Sequence, residues 1–105
     1  MQNIMAIWTY ETALVLIRAL SKACLQAGYF VSVAGSVLID GSSDNDLDLL
    51  IIPRTDVETD PTTLLKLLST TFTQQLSNPR YLKGRTIFHV AYNGKPVDIT
   101  IFNPI

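Results

Sequence analysis

The feature that most constrains the fold is the stretch DLDLLII at residues 46–52, where two aspartates head a strongly apolar run. The run is typical of a β-strand, and its near-continuous apolar half predicts cover on both faces until Pro53 ends the strand. Because residues i and i+2 of a strand share a face, we expect Asp46 and Asp48 to lie side by side. Two like charges at that spacing repel, so they need a compensating positive charge.

The first third of the chain predicts a helix, a strand and a short helical turn. Apolar residues at helical spacing indicate a helix over residues 9–27, which Thr9 caps and Gly28 ends with a left-handed turn. The next segment, YFVSVA at residues 29–34, is rich in aromatic and β-branched side chains and is typical of a strand. Residues 36–40 are expected to form the short turn.

The remainder predicts a second long helix followed by a hairpin. Asp60-Pro61 supplies an N-cap and an N1 proline, and the apolar stripe continues to Leu76 before Asn78-Pro79 closes the helix. Residues 86–102 contain two strand-like segments joined by Asn93-Gly94, whose positive φ angles suit a tight turn.

This order of elements predicts the fold class. Helices and strands alternate first and a hairpin follows, so we expect an α/β (α+β) domain with a small mixed β-sheet flanked by helices, in the order α-β-(α)-β-α-β-β. The length of 105 residues suits a single domain spanning residues 1–105.

Composition excludes several classes of protein. The chain is 48% hydrophobic and 16% charged, which is too apolar for a disordered chain, and its net charge of −1 gives no overall attraction to nucleic acid or to an anionic membrane. The single Cys24 excludes an intramolecular disulfide framework. Without a membrane-length apolar run or a signal peptide, we expect a cytoplasmic protein that does not engage a membrane.

A third aspartate, Asp98, interrupts the last predicted strand, VDITIF. It lies on the face opposite the apolar Val97 and Ile99, where an uncompensated charge would cost several kcal/mol. If this strand lies beside residues 46–52, all three carboxylates converge. Carboxylate oxygens bind Mg²⁺ together with substrate phosphates, and such a trio suits a two-metal site for phosphoryl transfer.

The pair Gly35-Ser36 follows the strand YFVSVA directly. Backbone N–H groups and a hydroxyl at such a turn can receive a phosphate, and the absent side chain of glycine permits close approach.

Taken together, Gly35-Ser36, Asp46-Leu47-Asp48 and Val97-Asp98-Ile99 resemble the signature of the DNA polymerase β-like nucleotidyltransferase superfamily. The resemblance covers residues from about 29 to 102. It implies that Asp46 and Asp48 bind one or both Mg²⁺ ions and that Asp98, the third catalytic acid, binds the catalytic ion and deprotonates or orients the acceptor hydroxyl. Gly35 and Ser36 would hold the triphosphate.

The reaction that the resemblance implies is transfer of a nucleoside monophosphate from an NTP, most simply ATP, to a protein hydroxyl or an RNA end, with release of pyrophosphate. Larger members of the superfamily add a helical domain, whereas residues 1–105 resemble only the minimal catalytic core. Small bacterial members pair with a helical toxin. We therefore expect a helical partner protein or a homodimer to complete the site.

One departure from the pattern keeps an alternative open. Small bacterial members often carry an arginine shortly after the Gly-Ser pair, where this chain has VLID at residues 37–40. Four residues elsewhere could supply the missing charge: Arg54, Lys83, Arg85 and Lys95. The alternative function is a catalytically inactive binding module, either a nucleotide sensor or an antitoxin-like protein that neutralises its partner by contact. His89 is expected to pack or face solvent.

Overall fold

A mixed β-sheet with helices on one side forms the described part of the chain, residues 6–103 of the computed structural model. The helices are α1 (Tyr10–Gln26), α2 (Gly35–Asp40) and α3 (Pro61–Thr71). The strands are β1 (Trp8–Thr9), β2 (Tyr29–Ala34), β3 (Ser42–Ser43), β4 (Leu47–Pro53), β5 (Gln74–Gln75), β6 (Arg80–Leu82), β7 (Arg85–Tyr92) and β8 (Lys95–Phe102).

The main sheet has six strands in the order β2-β4-β8-β7-β5, with β6 also paired to β7. Strands β4 and β8 run parallel, and the other neighbours are antiparallel. Strands β1 and β3 form a separate two-stranded sheet. The predicted mixed sheet and the order of its main elements are confirmed, and four short strands add to them. Within residues 6–103, no helix is long and apolar enough to cross a membrane.

Three of the predicted boundaries are confirmed with their physical causes. Thr9 caps α1 by accepting a hydrogen bond from the backbone N–H of Thr12 at 3.2 Å. Asp60 caps α3 in the same way, accepting from the backbone N–H of Thr63 at 3.1 Å. The turn between β7 and β8 has φ of 51° at Asn93 and 78° at Gly94, as expected for a tight hairpin, and it fixes the register of the two strands.

The second long helix ends earlier than predicted, at Thr71 rather than near Asn78. Phe72 leaves the helical conformation and is buried in the core, where its ring meets the ring of Tyr92 edge-on at 6.0 Å between centroids. The chain then pairs Gln74 and Gln75 with β7. The apolar spacing past residue 71 therefore does not come from a helix, because Phe72 packs in the core from an extended segment.

The predicted cover on both faces of β4 is wrong. Helices α1 and α3 both pack on the face that carries Leu47, Leu49 and Ile51, each of which is 0% exposed. On the other face Ile52 is 38% exposed. A short apolar run does not distinguish a strand buried on both faces from one whose outward side chains are also aliphatic. We call the side without helices the open face; it is the side on which the site lies.

Two adjacent isoleucines test this one-sided packing. We expect Ile51→Ala to lower the free energy of unfolding by about 2 to 5 kcal/mol, because it leaves a cavity between the sheet and the helices. Ile52→Ala removes the same atoms from the open face and should cost about 1 kcal/mol or less. Urea unfolding of both variants measures the difference, and equal costs would contradict the one-sided sheet.

Candidate functional site

The three predicted acids lie together at one end of the open face. The parallel pairing of β4 with β8 sets Asp48 directly opposite Asp98. Asp46 precedes β4 by one residue and, two positions from Asp48, belongs to the same face. These acids are far apart in sequence, and they meet because β4 and β8 are neighbours in the sheet.

A histidine lies close to two of these acids, Asp46 and Asp98. One ligand atom from each of Asp46, His89 and Asp98 lies within 4.8 Å of the others. Among the acids, histidines and cysteines of residues 6–103, these three side chains are close enough to one another to hold one ion. His89 is paired with Asp98 across the β7–β8 hairpin, and its Nδ1–H donates a hydrogen bond to Oδ1 of Asp98. All three side chains are partly exposed, so the cluster is accessible from solvent.

Sequence reasoning assigned His89 to packing or solvent, so this contact was missed. The signal that would have found it is the Asn93-Gly94 turn. A two-residue turn pairs Tyr92 with Lys95. Counting three residues away from the turn along each strand brings His89 opposite Asp98.

Asp48 has a different neighbour, the backbone of Gly35. Gly35 is the first residue of α2 and has φ of +65°, a conformation that L side chains rarely adopt. A Cβ at this position would collide with Oδ2 of Asp48. The glycine is therefore required both by its backbone conformation and by the approach of the carboxylate. Ser36, the next residue, is exposed and lines a shallow polar depression together with Asp40 and Asp44.

The electrostatics of the site show excess negative charge. Partial burial, reinforced by the charge of Asp46, raises the pKa of Asp48 above its ordinary value. Partial burial and then the neighbouring Asp46 carboxyl group raise the pKa of Asp98, and these effects outweigh the hydrogen bond from His89, which lowers that pKa. Clustered oxygen ligands with such mutual repulsion fit a divalent cation, which would relieve the repulsion.

The four basic residues considered as substitutes for the missing arginine differ in position. Arg54 pairs with Asp56 at 2.8 Å after the far end of β4. The Lys95 ammonium lies 5.2 Å from the ring centre of buried Trp8, on the helix side of the sheet. Lys83 lies in the turn between β6 and β7.

The fourth of these residues, Arg85, shares a face with the acids. It is paired with Phe102, four residues along β8 from Asp98, or about 13 Å at the rise of a strand. Arg54 also reaches this face at the far end of the sheet, where its guanidinium carbon lies 5.8 Å from the ring centre of Phe30. Arg80, which sequence reasoning did not consider, is paired with Ile87 and faces the same side. The open face thus has acids at one end and two exposed arginines farther along it.

No protein-family model matches the chain, and no curated protein matches its sequence. Solved structures do match its fold. The RNA terminal uridylyl transferase Cid1 superposes with a TM-score of 0.62 at 14% identity, covering 90% of this chain and 31% of Cid1. A cytoplasmic RNA terminal U-transferase gives a TM-score of 0.60 at 14% identity, covering 90% of this chain and 28% of that one. The chain thus spans about a third of the length of these structures or less, and the predicted nucleotidyltransferase fold is confirmed.

Two glycines at opposite ends of α2 test the packing of Asp48. Gly41 has φ of +79° but no atom within 4 Å of an added Cβ, so Gly41→Ala introduces backbone strain without a collision. Both Gly35→Ala and Gly41→Ala should cost about 1 to 2 kcal/mol from the left-handed conformation. We expect only Gly35→Ala also to displace Asp48 and weaken binding of a divalent cation, measured by calorimetry. Equal cation affinities in the two variants would contradict the contact.

The raised pKa of Asp48 predicts a pH-dependent cost to stability. Since the folded protein binds this proton more tightly than the unfolded chain does, stability is lost as pH rises from the ordinary aspartate pKa, about 3.9, through the raised value. We expect Asp48→Asn to melt at a higher temperature than the wild type at pH 7 in chelator, with the difference vanishing near pH 3. Asp44→Asn, at an exposed position nearby, is the control. A lower melting temperature for Asp48→Asn at pH 7 would refute the electrostatic argument.

Proposed function

We propose that this chain is a minimal nucleotidyltransferase domain that transfers a nucleoside monophosphate from an NTP to a protein hydroxyl or an RNA end and releases pyrophosphate. The observation that carries the proposal is the meeting of Asp46, Asp48 and Asp98 beside the Gly35-Ser36 turn. The uridylyl transferases that share the fold support the reaction class, and ATP is the NTP to test first.

The three carboxylates would hold the divalent ions of the reaction, two Mg²⁺ ions in the simplest form. When bound, these ions neutralise the triphosphate and stabilise the charge that develops on the attacking and leaving oxygens. The donor set fits this role because it consists of oxygen ligands positioned by two paired strands, and because burial and then the neighbouring Asp46 raise the pKa of both Asp48 and Asp98, a cost that a bound cation would offset.

The chain's own residues supply the other steps. The backbone N–H at Gly35 and the Ser36 hydroxyl would bind the triphosphate, at the point where the glycine has no side chain to obstruct it. Asp98 would accept the proton of the attacking hydroxyl, since a carboxylate with a raised pKa is a stronger base than an ordinary aspartate. The acceptor oxygen then attacks the α-phosphorus. The bond between the α-phosphorus and the oxygen that bridges it to the β-phosphate breaks, and pyrophosphate leaves.

We propose that part of the site comes from another molecule. The open face lacks a covering layer among the described residues, and two exposed arginines on it, Arg80 and Arg85, lie away from the Gly35-Ser36 turn. A helical partner protein or a second copy of the chain would cover this face and hold the acceptor.

One observation favours the second candidate, a catalytically inactive binding module. The segment after Gly35-Ser36, Val37 to Asp40, contains no basic residue to hold a triphosphate. A module of this kind would bind an NTP without turnover, or would bind only its protein partner. Calorimetry with NTP and divalent cation, run beside the transfer assay, separates these possibilities.

The transfer assay itself uses α-labelled NTP, divalent cation and host lysate. Changing Asp46, Asp48 or Asp98 singly to Asn should lower incorporation at least about a hundredfold, because each loss removes several kcal/mol of charge stabilisation. Labelled protein or labelled RNA identifies the acceptor class.

Glu58→Gln is the control, because Glu58 is exposed and lies in the loop after the far end of β4, outside the cluster. It should leave incorporation unchanged. Wild-type incorporation in Asp46→Asn or Asp98→Asn would remove the enzymatic proposal, and circular dichroism confirms that each variant is folded.

A further inference from the structure

We infer that His89 is itself a ligand of the ion held by Asp46 and Asp98, so that this site selects a first-row transition cation such as Mn²⁺ over Mg²⁺. The inference rests on the proposed function where it assigns these acids to a divalent ion, and it adds the nitrogen ligand and the identity of the metal.

The geometry places His89 within reach of such an ion. Ligand atoms around an octahedral ion with bonds of about 2.1 Å are about 3 to 4.2 Å apart. The ligand atoms of Asp46, His89 and Asp98 already lie within 4.8 Å of one another, so small side-chain movements suffice. Two strand registers hold the group in place, since β8 pairs with β7 at His89 and with β4 at Asp48.

The chemistry of the donors then sets the metal preference. Carboxylates suit Mg²⁺ and Mn²⁺ alike, whereas imidazole favours the transition cations, whose affinity rises from Mn²⁺ towards Cu²⁺. The neutral ring binds an ion through Nδ1 once the Nδ1 proton has passed to solvent and Nε2 has taken one up, an exchange of tautomers that the partly exposed ring allows. On binding, the contact between Nδ1 of His89 and Oδ1 of Asp98 opens and both atoms turn to the cation, so neither is left without a partner.

A simpler role for His89 is to orient Asp98 by hydrogen bonding alone. In that case the imidazole stays outside the coordination shell, and Mg²⁺ and Mn²⁺ respond alike to its removal. The two roles therefore differ in a measurable quantity, the bond between the ion and the ring nitrogen.

The chain contains a single histidine, so a coordinated imidazole can only be His89. Mn²⁺ is titrated into the tag-free protein without nucleotide, and pulsed electron paramagnetic resonance measures the coupling to a directly bound nitrogen. The wild type should show this coupling. His89→Ala should lose it, with Mn²⁺ affinity falling about tenfold or more and Mg²⁺ affinity changing less than about threefold.

His89→Gln is the matched variant, since its amide can still hydrogen-bond to Asp98 but supplies no imidazole nitrogen. It should behave like His89→Ala towards Mn²⁺, and thermal unfolding shows that both variants are folded. Absence of Mn²⁺ binding or of nitrogen coupling in the wild type, or equal losses of Mn²⁺ and Mg²⁺ affinity in the variants, would overturn the inference.

This experiment contains no NTP, so its failure is distinct from failure of the proposed function. Nitrogen coupling without nucleotide transfer would support the metal site that includes His89 and refute the proposed nucleotidyltransferase activity. Transfer by a wild type that shows no coupling would do the reverse.

Discussion

The parallel pairing of β4 with β8 is the contact on which the candidate site depends. It joins the middle of the chain to its last strand, and its register sets Asp48 beside Asp98. A shift of one residue would turn one of these side chains into the core and leave the other without its neighbour. The same register buries Leu49 against Ile99 under the helices, so the packing that stabilises the sheet also positions the acids on the opposite face.

The site is a place where the fold accepts electrostatic cost. Asp48 and Asp98 have raised pKa values because partial burial and a neighbouring acid both disfavour their charged forms. Groups with perturbed pKa values cluster at functional sites. Gly35 is a second indication of a functional site, since it accommodates the Asp48 carboxylate where a side chain would collide. A bound cation would turn this repulsion into attraction.

Local signals in the sequence predicted most of the fold. The cap at Thr9 and the Asn93-Gly94 turn each follow from a few adjacent residues, and the proximity of the acids needed only the added assumption that the last strand lies beside the first acidic one. The errors came from non-local packing. Whether helices cover one face of β4 or two depends on the path of the whole chain. The second long helix ends at Thr71 because the next residue, Phe72, packs in the core from a non-helical conformation. His89 was missed because its environment was judged along one strand instead of across the hairpin.

The central claim is that Asp46, Asp48 and Asp98 hold divalent ions against a nucleotide seated at Gly35-Ser36. The most direct test is a crystal structure with Mn²⁺ and an NTP analogue that cannot be cleaved between the α- and β-phosphates, in which anomalous scattering locates the ions. We expect Mn²⁺ bound to these carboxylates with the triphosphate at the start of α2. Ions bound elsewhere, or a nucleotide on another surface with these acids unliganded, would contradict it.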